Sequence, residues 1–432
     1  MRHFSLLAAV GCLASLACSA QDTTELLNHM KAMEDRIKSL EAEVQELKGQ
    51  QAALTAAVTA APAPAAPQAP APTTAQAPMA APEAAPAGLA APQTPSGPLP
   101  VYGGASAAAS KVFNPDISVI GDFLGGVGNG NPRATPSLEM HESEVGFQAI
   151  IDPYARADFF ISFGEQGVTL EEGFLTFPAL PGGFQLKVGK MRAAFGKVNT
   201  LHNHVLPWTD RPLVTQNLVG GEDGIDDAGL SLSRIIPAPK EIFLEGTAQI
   251  FRGDSTDVFR AYHRSDVSTV GHLHGYRDVS ESTNVDLGIS YSRGHSTLAD
   301  GLVNQLYGVD ATVRWKPLRR SIYHSFIARS EYIWAREEQP NHTVATPNGF
   351  YVSADYQFAR RWFFGTRFDR SERATSSQLH DTGGSLVLTY WPSEFSQIRG
   401  QLRRTSYAES LTANELLFQF QFSMGAHGAH PF

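Results

Sequence analysis

Beyond residue 20 the chain has no cysteine: its two, Cys12 and Cys18, both fall in the first 20 positions. Once that segment is removed, a disulfide framework, a thiolate zinc site and a cysteine nucleophile are all excluded. Long apolar runs are scarce as well. Outside residues 4–17 none approaches the ~18–20 residues that a spanning helix requires, so a helical membrane protein is excluded. Positive charge is not in excess, with 34 Lys and Arg against 43 Asp and Glu, which argues against a nucleic-acid partner. Also missing are the G-x-S-x-G, H-E-x-x-H and phosphate-loop patterns of common catalysts. His263, Ser265 and Asp266 stand close together, but neighbours on a strand point to opposite faces, so they make no triad by sequence. The expectation is a protein that is not an enzyme and needs no cofactor.

What is present divides into four parts. Residues 1–20 read as a secretory signal: Arg2 gives the positive start, Phe4 to Ala17 the apolar stretch, and Cys18-Ser19-Ala20 a small-residue cleavage site. Acylation of Cys18 is the competing interpretation, which Ser15 and Leu16 fit poorly. Within residues 24–54, apolar residues at 26, 30, 33, 37, 40, 44, 47 and 54 alternate steps of four and three, the heptad of a coiled coil. With Ile37 at a and Leu40 at d, the g-to-e pairs Arg36–Glu41 and Glu43–Lys48 join opposite charges. The stretch Arg36-Ile37-Lys38-Ser39-Leu40-Glu41 matches the Arg-h-x-x-h-Glu pattern of trimeric coiled coils, which assigns a homotrimer to Arg36, Ile37, Leu40 and Glu41.

Residues 55–110 form an Ala/Pro-rich linker, with 12 prolines between Pro62 and Pro100. Such a tract favours polyproline II, and at ~3.1 Å per residue the stretch 62–100 reaches at most roughly 120 Å. That suits a periplasmic stalk within reach of peptidoglycan.

From residue 111 to 432 the pattern becomes period two. Val285, Leu287, Ile289 and Tyr291 alternate with polar residues, as do Phe350, Val352, Ala354, Tyr356 and Phe358, and likewise Leu416, Phe418, Phe420 and Phe422. About 16 such segments occur, at ~20 residues per strand and connection, which suits an outer-membrane barrel. A large soluble β-sandwich is the alternative. Tyr291, Trp315, Trp334, Phe358, Trp362 and Tyr390 near strand ends favour the membrane barrel, because aromatic residues collect at bilayer interfaces. Phe432 is the expected assembly signal for the barrel assembly machinery. The fold class is therefore all-β: a transmembrane antiparallel barrel of about 16 strands, in contact with outer-membrane lipid, behind an α-helical coiled coil and a disordered linker.

In such a barrel the polar face of each strand lines the lumen. The alternation turns Arg156, Lys187, Arg314, Arg329, Arg367, Arg399 and Arg403 inward, together with Asp158, Glu245, Asp286, Asp310, Glu331, Asp355 and Asp369. These charges either tune the pore or pair with one another, and Arg399 and Arg403 are the candidate basic rung. Between Met191 and Asp227 lies the longest stretch without strand periodicity, containing His202, His204, Asp210 and Arg211. A long ordered loop is usually functional, and this one is expected to fold inward and constrict the lumen with Asp210 and Arg211 near the path. An extracellular lid is the alternative. Histidines recur in pairs at His202/His204, His272/His274 and His427/His430. They are weak metal candidates, since no pair has a carboxylate at a fixed short spacing and a site normally needs three or more ligands.

The text VTLEEGFLTFPALPGGFQLKVGKMRAAFGK, followed by LHNHVLPWTDRPLV and GGEDGIDDAGLSLS, resembles the phosphate-selective porin O/P type of barrel. The branch with His-x-His, Asp-Arg-Pro and a terminal Gly-Ala-His-Gly-Ala-His-Pro-Phe is sometimes labelled zinc-regulated or TonB-dependent receptor. The resemblance implies a 16-stranded trimeric channel; phosphate selectivity does not carry over, because no lysine ladder is evident. The TonB-dependent label conflicts with the chain itself. Such receptors have about 22 strands around a plug, and a heptad helix with an Ala/Pro tract cannot fold into one. The expectation is an outer-membrane porin of a Gram-negative bacterium, its N-terminal segment periplasmic, passing small hydrophilic solutes or ions by diffusion. A structural envelope tether anchored by the barrel, and a metal-binding or zinc-uptake receptor, are the alternatives.

Overall fold

The computed structural model describes Lys31, Lys38 and residues 115–425 apart from 133–135, 165–166 and 256. Lys31 and Lys38 are helical and exposed. The rest of the heptad segment, including Arg36, Ile37, Leu40 and Glu41, lies outside the described residues, as do the linker, His427, His430 and Phe432.

Strong period-two segments become strands: β1 (Asp116–Asn129), β2 (Leu138–Asp152), β3 (Ala155–Gly164), β4 (Gly167–Leu180), β5 (Phe184–Arg192), β6 (Asp226–Ile235), β7 (Phe243–Phe251), β8 (Ser268–Ser280) and β9 (Thr283–His295). They continue as β10 (Val303–Trp315), β11 (Ser325–Glu338), β12 (Val344–Ala345), β13 (Asn348–Ala359), β14 (Trp362–Arg373), β15 (Ser376–Ser393), β16 (Ser396–Ser406) and β17 (Thr412–Gly425). The two-residue β12 is a side pairing on β11, which bonds directly to β13. The remaining 16 strands, each antiparallel to its neighbours in sequence, close when β1 pairs with β17 from Ser118↔Gly425 to Asn129↔Asn414. Closure leaves no unpaired edge, the condition for backbone to cross hydrocarbon as sheet.

Burial is inverted relative to a soluble sandwich. On β17, Leu416, Phe418, Phe420 and Phe422 stay 38–46% exposed, whereas Gln419 and Gln421 are 1% exposed. A sandwich would bury the phenylalanines between its sheets; a barrel turns them to lipid. Aromatic rings gather toward both rims, with Tyr291–Tyr307 and Tyr307–Trp334 at 5.1 and 5.4 Å near one, and Trp362–Tyr390 at 4.4 Å near the other.

The lumen departs from the expected polar lining in one region. Phe251, Leu306, Ile333, Tyr351 and Val387 belong to the inward set and pack with Met191, Phe195, Val198, Leu206, Trp208 and Val214 in one apolar cluster. Those partners come from the β5–β6 connection and the end of β5. The apolar wall residues are there because an inward loop needs something to dock on, and burial of each large side chain supplies about 1.5–3 kcal/mol.

Candidate functional site: the inward loop and its charged wall

Residues 193–225 run from the end of β5 into the barrel and back. Asn199 ties the neck: its Nδ2 donates to the carbonyls of Ala193 (2.9 Å) and Ile225 (3.1 Å), and its Oδ1 accepts from Ile225 N at 2.8 Å. At Gly196 the backbone takes φ of +60°, a conformation open to glycine at little cost. The following amides thereby turn to the wall, where Lys197 N and Val198 N both donate to Glu331 Oε1 at 2.8 Å. A short helix α1 (Leu213–Leu218) completes the inward part; its Leu213 N donates to Asp369 Oδ1 at 3.3 Å, and Asn217 Nδ2 to Asp381 Oδ2 at 3.0 Å.

Three contacts fix the loop across the lumen. The first centres on Asp210, whose Oδ2 accepts from Arg367 Nη2 and Arg403 Nη1, each at 2.8 Å, while Oδ1 accepts from Gln401. Burial opposes ionisation here, yet the two guanidiniums outweigh it and hold the Asp210 carboxyl down at about 2. Beside it, Arg399 donates to the Trp208 carbonyl at 3.1 Å, and the Trp208 ring meets Tyr351 edge-on at 5.3 Å with the Arg367 guanidinium 4.8 Å from its centroid. The second contact is Lys197, whose Nζ lies 2.8 Å from Asp286 Oδ2 and 4.0 Å from Asp310. Asp286 also meets His274 Nε2 at 2.7 Å and Arg314 Nη1 at 3.2 Å.

The third contact surrounds His202. Its Nδ1 stands 2.8 Å from Glu144 Oε2 and 2.9 Å from Glu171 Oε2, and its Nε2 is 2.8 Å from Glu172 Oε2. Burial alone would lower the His202 pKa; the three carboxylates raise it well above the usual value. Two β-bulges build this pocket. The register shifts beside Glu171 where β3 pairs with β4, and beside His141 where β1 pairs with β2. A bulge inserts one extra residue and re-aims its side chain. Consecutive Glu171 and Glu172 consequently both reach His202, and His141 turns to Asp122 and Glu222, at 3.8 and 3.4 Å.

The structure places the fourteen charged residues named from the alternation on the inner wall, and most are engaged. Arg156 pairs with Asp158 at 2.7 Å, Arg329 with Asp355, and Arg403 with Glu415 at 2.6 Å; Lys187 stands over the Phe174 ring, and Glu245 is 3% exposed. Two expectations need correcting. Arg399 and Arg403 are not a free basic rung, because each is spent on the loop and on a neighbouring strand. Arg211 does not border the path: it is 2% exposed, and its guanidinium donates to Asn203 Oδ1, Val198 O and Leu201 O at 2.9, 3.0 and 2.6 Å, stapling the loop internally. Asp210, His202 and His204 do reach the wall. His272 donates to or accepts from Ser290 Oγ at 2.8 Å through Nδ1. Sequence reasoning missed Glu142, Glu144, Glu171, Glu172, Lys197 and Gln401. Glu142 and Glu144 share a face by period two; the glutamates of β4 depended on a bulge with no local signal.

A closed 16-stranded barrel with one long connection folded inside it has the architecture of the outer-membrane porins. Solved structures with this fold include OprB of Pseudomonas putida at high pH (TM-score 0.53, 11% identity, covering 72% of this chain and 94% of that one). The anion-selective porin from Comamonas acidovorans is similar (TM-score 0.52, 9% identity, 72% and 99%), as is OmpT, an outer membrane protein of Vibrio cholerae (0.51, 10%, 72% and 97%). In sequence, the chain is 29% identical over 388 residues to an uncharacterized protein of Aquifex aeolicus (strain VF5), covering 75% of this chain and 81% of that one. No family model matches the sequence, and none of these likenesses singles out the phosphate-selective type.

Proposed function

We propose that the protein is a porin of the Gram-negative outer membrane through which small hydrophilic solutes or ions diffuse. The observation that carries this proposal is the loop 193–225, held inside the barrel by ion pairs at Asp210 and Lys197 and bordered by charged wall residues that water still reaches. The side chains of Arg314 and Arg329 keep 24% and 23% of their exposure. Such a loop sets the narrowest section, and its charges filter solutes by sign and size. The heptad segment makes the protein a homotrimer and, with the Ala/Pro stalk, extends into the periplasm. We read the barrel as a channel without catalytic activity; in support, His263 Nδ1 and Ser265 Oγ both contact Asp266, at 3.3 and 3.2 Å, so these three residues do not form a serine–histidine–aspartate relay.

The test is single-channel conductance of the purified full-length protein in planar bilayers, with the reversal potential in a salt gradient. Stepwise openings in threes and a non-zero reversal potential are expected. A barrel that inserts and stays silent would replace the porin with a membrane anchor for the stalk.

A further inference from the structure

The group around His202 does more than latch the loop, and its composition is unlike the other two contacts. Asp210 and Lys197 each meet fixed opposite charges. At His202 the neighbours are mostly acidic: Glu142, Glu144, Glu171 and Glu172 converge, and Arg192, 3.4 Å from Glu171, offsets one of them. Ser162 Oγ lies 2.9 Å from Glu142 Oε1 and 2.6 Å from Glu171 Oε1, and its single proton serves one of the two at a time.

Glu142 Oε2 is buried without a hydrogen-bond partner, and Glu144 Oε2 and His202 Nδ1, also buried, face one another at 2.8 Å, a pairing that holds only while Nδ1 carries a proton. Glu142 and Glu144 are 5% and 2% exposed. Buried carboxylate oxygens in that state are costly unless a cation satisfies them. His204 adds a second imidazole, its Nδ1 3.8 Å from Glu144 Oε2. One ligand atom from each of Glu142, Glu144, His202 and His204 lies within 4.8 Å of all the others.

We propose that Glu142, Glu144, His202 and His204 bind a divalent transition-metal ion of the zinc class, with Glu171 as an additional carboxylate ligand. Around zinc at a metal–ligand distance of about 2.0–2.1 Å, adjacent ligand atoms stand roughly 2.9–3.4 Å apart. The 2.8 and 2.9 Å separations about His202 Nδ1 are near the short end of that range. With Nε2–H donated to Glu172 and the Nδ1 proton displaced by the incoming ion, Nδ1 presents its lone pair to the centre of the group. A ligating histidine that donates its other ring nitrogen to a carboxylate is the usual outer arrangement of such sites, and it makes Glu172 a positioning residue. Two imidazoles with carboxylates and no thiolate suit zinc or manganese; magnesium and calcium prefer oxygen alone. The side chains of His202, Glu171 and Glu172 keep 13–14% exposure, which leaves a path from the lumen. A bound ion ties the loop to β2 and β4 and stiffens the constriction.

The experiment is equilibrium dialysis of the EDTA-stripped, full-length protein in detergent against Zn²⁺, with elemental analysis. About one zinc per chain is expected, retained in a His427→Asn/His430→Asn variant. Glu144→Gln, nearly isosteric, and His202→Asn should each weaken binding at least tenfold, with barrel folding checked by heat-modifiable gel migration. Zinc uptake left unchanged by both variants would place the metal elsewhere and overturn the proposal. A second readout needs no variant: Zn²⁺ should raise the wild-type melting temperature where equal Mg²⁺ does not, and a wild-type protein indifferent to zinc refutes the site. Neither result bears on channel conductance.

Discussion

Replacing Asp210 with asparagine tests the constriction most directly. The side chain keeps its volume and one acceptor oxygen, and loses the charge that Arg367 Nη2 and Arg403 Nη1 both approach at 2.8 Å. A hydrogen bond to a charged group contributes about 1.5–3 kcal/mol and a neutral one about 0.5–1.5, so two such changes cost about 2–3 kcal/mol. The amide also turns a donor toward a donor. Full rupture of a buried pair would cost about 3–5 kcal/mol; here Arg367 keeps Asp369 and Arg403 keeps Glu415, both within 2.8 Å. A loss of about 2–4 kcal/mol is expected for the segment around Asp210, equivalent to a shift of roughly 30- to 900-fold in the equilibrium between docked and released loop. The lumen also gains one net positive charge beside Arg367 and Arg403. In planar bilayers the D210N channel should show a larger or noisier unitary conductance and a reversal potential displaced toward anions. Conductance, noise and reversal potential all equal to wild type would refute the placement of this loop at the narrowest section.

Other perturbations follow from the same contacts. Arg211→Met should destabilise the loop by about 2–5 kcal/mol, because it leaves one buried and two half-buried acceptors without their donor; limited proteolysis should then cut within 193–225 in the folded barrel, and a loop as resistant as wild type would contradict the staple. Trp208→Ala removes a ring that is 1% exposed from between Tyr351 and Arg367, and should cost about 3–5 kcal/mol, read as a lower melting temperature and greater current noise. The Asp210 latch has a defined pH window. With the carboxyl held at about 2, against about 3.9 when unfolded, its stabilisation is complete above about pH 4 and is lost as pH falls through about 2. The part of the conductance that depends on Asp210, read as the difference between wild type and D210N, should therefore stay steady as pH is lowered toward 4 and change only in stronger acid; a transition of that difference near pH 6 would assign the latch to another group.

Strand existence was legible because it rests on a local property. In a closed barrel each residue faces lipid or lumen by parity alone, so Leu416, Phe418, Phe420 and Phe422 announce an outward face without knowledge of their partners. All 16 spanning strands, and the inward position of Arg314 or Glu331, follow from that rule. The long break in periodicity between Met191 and Asp227 marked the loop for the same reason, by the failure of the pattern. The fate of Arg211 was not legible. Asp210 and Arg211 are equal neighbours in sequence, yet one reaches across to β14 and β16 while the other folds back on residues 198–203.

What the sequence determined alone was therefore what depends on strand period: a barrel of 16 strands with a charged interior. What only the tertiary structure decided was which charges meet. His202 and Glu144 are distant in the chain, and Glu171 reaches them through a bulge created by pairing with β3. Arg399 and Arg403 look like a free basic rung on their own strand, and become loop anchors once Trp208 and Asp210 are delivered to them. Alternation is a property of a single strand, whereas ion pairs and ligand sets depend on register and loop path, which are settled only when the whole barrel closes.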